Sequence, residues 1–208
     1  MPESFARATL LTLGVTKNII TVMMISPELP KKAQLIAGAA IEAIHDKGLD
    51  RVKLTDVARK AGVTTGAVTY YFEDKDALLI AAFEETWRRM FTGISAFQGG
   101  WQIERFLNSL PTAEASRRGW SVWLAFCGRA QTSPDMNEIY REYYARLEDL
   151  LLDSVSSDHP ECSREEIRTA IAALDGIGLC ATLHPDLWPA KRQRECLQDL
   201  LANLFSQA

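Results

Sequence analysis

Residues able to do covalent or acid–base chemistry are thinly scattered along this chain. His45, His159 and His184 stand alone, and Cys127, Cys162, Cys180 and Cys196 show no CxxC and no regular spacing. No paired carboxylates, Ser/His/Asp set, phosphate loop or metal cluster emerges, so neither catalysis nor a metal or other cofactor is expected. Cys127 and Cys180 fall in apolar helical patterns, where a thiol behaves as a small hydrophobe. Four reduced, intracellular thiols are the expected state. The chemistry that does concentrate in one place is hydrogen bonding. In "AGVTTGAVTYYFEDKDAL", residues 61–78, a short helix opens on Thr64, Thr65, Gly66 and Ala67 and closes on Tyr70, Tyr71 and Phe72. A helix built only for packing would show a plain apolar stripe. This one keeps its first turn bare, so that something can approach it.

The spacing before that helix explains how it is held. Ala58 is small where two helices must touch, Gly62 tolerates a positive φ in the turn, and Val63 and Val68 plug the second helix onto the first. Thr64 is placed to cap the second helix through its hydroxyl. These are the demands of a helix-turn-helix, whose second helix presents its first residues to base edges in the major groove. Thr64, Thr65, Gly66, Ala67 and Thr69 are short enough for deep entry, and threonine offers both a hydroxyl and a methyl. The Tyr70 or Tyr71 hydroxyl and Lys75 would reach phosphates at the rim, and Thr55 joins them from the preceding helix. Double-stranded DNA is the expected partner.

The elements around this motif read as helices throughout, about nine of them, in an all-α protein. "PKKAQLIAGAAIEAIHDKG" gives a first helix over 31–47, "LTDVARKAG" a second, and "TTGAVTYYF" a third. Asp74 caps a longer helix that runs to about residue 92, and "SAFQGG" marks a break. The organisation is an arm over 1–30, a helix-turn-helix domain over 31–75, and a larger helical domain over 76–208. The arm is either loosely ordered or the product of a start placed ahead of a true one at Met23 or Met24. Its apolar run is broken by Lys17 and Asn18 and lacks a cleavage site, so no membrane partner is expected. Charge divides the same way: residues 31–75 carry a net +2 and residues 76–208 a net −6. A mildly basic head on an acidic body suits one-sided contact with phosphate.

The run from Ala33 to about Phe83, centred on "LTDVARKAGVTTGAVTYYFEDKDALLIAAF", resembles the N-terminal domain of TetR-family transcriptional regulators. The C-terminal segments "WLAFCGRAQTSPDMNEIYREYYARLEDLL" and "AALDGIGLCATLHPDLW" are similar to the subgroup that includes the choline-responsive repressors of glycine-betaine synthesis. The resemblance implies a cytoplasmic homodimer that binds a palindromic operator and is released from it by a small-molecule effector. One departure is Lys53, which stands where the family usually caps its second helix with Ser or Thr. Asp56 compensates at the positive end of that helix.

Trp120, Trp123 and Phe126 recur every three residues, and Tyr140, Tyr143 and Tyr144 crowd the next helix. Such rings either pack a core or line a cavity between helices. Phe91, Trp120, Trp123, Phe126 and Tyr144 are the expected effector-pocket residues, able to form a cage if the ligand is a quaternary amine. Ile171, Leu174, Gly178, Leu197, Leu201 and Leu204 form the expected dimer face of an intersubunit four-helix bundle, though burial within one subunit would give the same pattern. Competing functions are a regulator that senses oxidants through its cysteines, a helical interaction protein that no longer binds DNA, and an enzyme on a helical scaffold.

Overall fold

The computed structural model describes residues 29–91, 103–156 and 158–205. The arm, apart from Leu29 and Pro30, and the expected break at "SAFQGG" lie outside the described residues. Among those residues there are eight helices of seven residues or more and one shorter turn of helix, with no strand. They are α1 (Lys31–Lys47), α2 (Leu54–Ala61), α3 (Thr65–Tyr71), α4 (Lys75–Phe91), α5 (Ile103–Leu107), α6 (Glu114–Ala130), α7 (Pro134–Val155), α8 (Arg164–Leu183) and α9 (Ala190–Phe205).

The first three helices form the head. Gly48 closes α1 at φ 74°, and Gly62 turns α2 into α3 at φ 64°. Both values lie where a side chain is strained and glycine is not. α2 starts without a hydroxyl cap: the Lys53 N–H donates to Asp56 Oδ2 at 3.1 Å instead. The Lys47 ammonium, 2.7 Å from Asp56 Oδ1, holds that carboxyl below its usual range. Val57, Ala58, Val68 and Phe72 are buried between the three helices.

α4 leaves the head with Asp74 as its cap, whose Oδ1 accepts the Ala77 N–H at 2.8 Å. It packs on α1 and then on α6, which also lies along α1. The body core forms where α4, α6 and α7 meet. Phe83 stacks on Phe126 with centroids 4.1 Å apart, and Tyr143 meets Phe83 edge-on at 5.0 Å. The buried Tyr143 hydroxyl donates to Glu84 Oε1 at 3.0 Å, which supplies the partner a sequestered carboxylate needs. α8 closes the other side of α6 and α7, α9 pairs with α8, and α9 also meets α5 through Arg194 and Glu104.

Candidate functional site

Two surfaces carry the expected chemistry. The first is α3. Thr64 Oγ1 accepts the Ala67 N–H at 3.2 Å, capping the helix as its position requires. Val68 on the opposite side is fully buried, which fixes the outward direction of the remainder. Thr55, Thr64, Thr65, Gly66 and Thr69 are exposed, Ala67 and Tyr71 are half-buried, and Tyr70 is 81% exposed. The two tyrosine rings brace each other edge-on at 5.0 Å. Lys75 behaves differently from a free rim cation. Its ammonium donates to the carbonyls of Leu49 and Asp50, both at 3.1 Å, and ties α4 to the α1–α2 turn.

The second surface is a cavity of about 470 Å³ between α4, α6, α7 and α8. Phe83, Thr86, Trp87, Arg89 and Met90 of α4 form one wall, and Gly119, Trp120 and Trp123 of α6 another. Tyr144 and Leu147 of α7 and Leu174 and Asp175 of α8 complete it. Of the residues expected to line a pocket, Trp120, Trp123 and Tyr144 do. Phe126 does not: it is 0% exposed and lies against Phe83 in the core. Steps of three residues drift by about 60° around a helix, so two steps from Trp120 carry the side chain off the cavity face. The Phe91 side chain lies outside the described residues.

Polar groups at one end of this cavity form a relay across three helices. Trp123 Nε1 donates to the Tyr144 hydroxyl at 3.0 Å, and that hydroxyl donates to Asp175 Oδ2 at 2.6 Å. Burial pushes the Asp175 carboxyl up to about 6, opposed by the Tyr144 hydrogen bond. Burial likewise raises the Tyr144 phenol, and the neighbouring Asp175 charge adds to it, so Tyr144 stays a neutral donor. Asp175 was missed in the sequence, yet a lone carboxylate inside "AIAALDGIGL" is its signal. Nearby, burial drives the Cys127 thiol up to about 12, with the Asp175 charge adding to it. A thiol so seldom ionised reacts poorly with oxidants, which weighs against Cys127 as an oxidant sensor. All four cysteines are free.

The expected dimer residues prove to be largely used within the chain. Ile171, Leu174, Gly178, Leu197 and Leu201 are buried, and Leu204 is half-buried against the core. A Cβ at Gly178 would run into the Trp120 indole, so the close approach this glycine permits is to its own subunit. The open apolar stripe lies one face round, on Ala172, Gly176, Leu179 and Leu183 of α8 beside Leu200 of α9. Gly176 faces open space.

The head is tied to the body through α6. His45 Nδ1 lies 2.8 Å from Ser121 Oγ, Arg118 pairs with Glu42 at 3.9 Å, and Arg129 pairs with Asp76 in the first turn of α4. The helix that walls the cavity therefore also grips the reading domain.

Comparison with known proteins agrees with this geometry. Residues 36–82 match the family described as bacterial regulatory proteins, tetR family, and residues 105–206 match the BetI-type transcriptional repressor C-terminal domain. The HTH-type transcriptional regulator BetI of Escherichia coli strain UMN026 is 28% identical over 165 residues, covering 74% of this chain and 83% of that protein. A transcriptional regulator from Rhodococcus sp. Rha1 superposes with a TM-score of 0.73 at 26% identity, covering 85% of this chain and 97% of its own. A regulator from Saccharomonospora viridis, solved in complex with choline, shares the fold with a TM-score of 0.67 at 20% identity, over 81% of this chain and 94% of its own. These relatives are transcriptional regulators rather than enzymes. The chain belongs to the TetR family of DNA-binding regulators, with a BetI-type repressor domain behind its helix-turn-helix head.

Proposed function

We propose that the protein is a cytoplasmic homodimeric repressor, released from a palindromic operator when a small molecule fills the cavity between α4 and α8. The observation that carries this reading is the double use of α4 and α6. Only three residues separate the end of α3 from the start of α4, and five α4 residues wall the cavity. A molecule that moves α4 or α6 therefore moves the reading helix. A ligand releases DNA only if it binds better to a conformation whose two heads no longer match the half-sites. The outward exposure of Thr65, Gly66, Thr69 and Tyr70 on α3, and of Thr55 on α2, supports the DNA contacts: the threonines and Gly66 for bases, the Tyr70 or Tyr71 hydroxyl for phosphates. The stripe Ala172, Gly176, Leu179, Leu183 and Leu200 supports pairing with a second copy, since an exposed apolar strip on two adjacent helices favours a partner.

Choline, the molecule bound by the Saccharomonospora viridis relative, is the first effector to try. A selected operator and gel-shift titration test the whole reading. Protein should bind duplex DNA with a steep salt dependence, and a cavity ligand should release it. Trp87, buried on α4 and stacked on Tyr143 with centroids 5.8 Å apart, should report the same event through its emission. Ligand binding that changes neither emission nor DNA affinity defeats the effector role of the cavity.

A further inference from the structure

α8 carries one carboxylate into the cavity, and no cation among the described residues pairs with it. Asp175 Oδ2 accepts the Tyr144 hydroxyl at 2.6 Å, while Oδ1 receives no hydrogen bond, and no Lys or Arg pairs with Asp175 among the described residues. Asp175 is half-buried, and a carboxylate drawn this far from water is costly to keep charged unless a positive partner arrives. Trp120 and Trp123 line the same cavity, Trp123 joined to Asp175 through the Tyr144 hydroxyl; their centroids are 4.9 Å apart and their planes at 64°, so the rings make a corner. Both indole N–H groups are already spent, on the Ser109 carbonyl at 2.8 Å and the Tyr144 hydroxyl at 3.0 Å. What remains to a ligand is a carboxylate oxygen and π faces, and both attract positive charge.

The rest of the lining is of a different kind. Phe83, Met90, Phe106, Leu147, Leu151 and Leu174 bring apolar surface from four helices. Arg89 and Arg118 also border the cavity, but both are more than a third exposed and paired, with Glu85 at 2.7 Å and Glu114 at 3.3 Å. At about 470 Å³ the space is of the size that takes drug-sized ligands, more than a trimethylammonium head fills.

Resting on the reading of this cavity as the effector site, we infer that it selects an amphiphilic organic cation. The ammonium head sits against Asp175, Trp120 and Trp123, and an apolar arm lies along Phe83, Met90, Phe106 and Leu147. A compact polar cation such as choline would occupy the charged end and leave the apolar part unfilled.

Calorimetric titration of the full chain tests this with choline, hexyltrimethylammonium and 3,3-dimethylbutan-1-ol, the uncharged isostere of choline. Each buried methylene is worth roughly a fourfold gain in affinity, so hexyltrimethylammonium should bind at least about 10-fold more tightly than choline. The alcohol should not compete. Asp175→Asn keeps an acceptor for the Tyr144 hydroxyl and removes the charge. It should weaken hexyltrimethylammonium by about 10-fold or more without altering the circular-dichroism spectrum. In the unaltered protein the same affinity should fall as pH drops below about 6, where Asp175 takes up a proton. Choline binding as tightly as the hexyl probe would overturn the apolar arm. Equal binding by Asp175→Asn, or a flat pH response, would overturn the charged head. Gel shifts read the two ideas apart: tight binding of the hexyl probe without DNA release defeats the effector reading and keeps the ligand class, whereas release by a neutral ligand with no cation bound does the reverse.

Discussion

Burial raises the Asp175 carboxyl to about 6 from an ordinary 3.8, so the free protein carries a charge it would be more stable without. Between those values the folded chain holds a proton that the unfolded chain has released. Stability therefore falls as pH rises through the window from about 4 to 6, and stays lowered above it. Two pKa units correspond to roughly 2–3 kcal/mol as an upper figure. The groups facing Asp175 are Tyr144, and more distantly Tyr140 of α7 and Cys127 of α6, none of which ionises in that window. Urea melts at pH 4.5 and 7.5 should thus show Asp175→Asn gaining about 1–3 kcal/mol over the parent at the higher pH and less than half of that at the lower. A constant difference at both would mean that another group titrates. At the reading helix, Thr65→Ala should relax base preference, and Tyr71→Phe should weaken DNA uniformly by about 1 kcal/mol. Quantitative gel shifts on the operator and on scrambled duplex separate the two. Unchanged preference in the first variant would remove Thr65 from base contact.

At the level of helices, side chains only three residues apart on α6 have different tasks. Trp123 borders the cavity and is only half-buried, whereas Phe126 is stacked inside the core. Phe126→Ala should cost about 3–5 kcal/mol in denaturant melts through lost packing and the void it leaves. Trp123→Ala should cost less, leave ligand-free DNA binding intact and blunt ligand response. If the two variants destabilise alike, Trp123 is core and the pocket assignment fails. The same geometry explains what was legible in the sequence. The turn from Ala58 through Gly62 to Thr64 is written in local offsets, each with its own steric demand, so it could be read without the fold. Trp120 and Trp123 were legible as a repeating aromatic pattern, but the drift of that pattern around α6, which removes Phe126, depends on where α4 lies. Asp175 was hidden because its burial comes from α6 and α7 closing over it. The tie of Lys75 to the carbonyls of Leu49 and Asp50 could not be read in advance, because its partners are backbone groups that no side-chain pattern encodes.

For the whole molecule, the question is which face of the α8–α9 pair meets a second copy. The strongest apolar stripe in the sequence, through Ile171, Leu174 and Gly178, is consumed by the chain's own body, with Gly178 pressed on Trp120. Burying that stripe turns a weaker one outward, Ala172, Gly176, Leu179 and Leu183, with Leu200 alongside. Gly176 costs about 1 kcal/mol relative to Ala in a helix, and none of the described residues of its own subunit uses the space it leaves. A partner helix crossing there would use it. Leu183 is 59% exposed, so Leu183→Arg should leave the single chain folded while placing a charge in that contact. Sedimentation velocity should then report a monomer where the parent sediments as a dimer. Two heads on one palindrome bind with an effective concentration that a lone head lacks, so operator affinity should drop by about 100-fold. Affinity for a single half-site should barely move. A variant that remains dimeric would shift the interface elsewhere, and one that is monomeric yet holds the full palindrome unchanged would show that the two heads act independently.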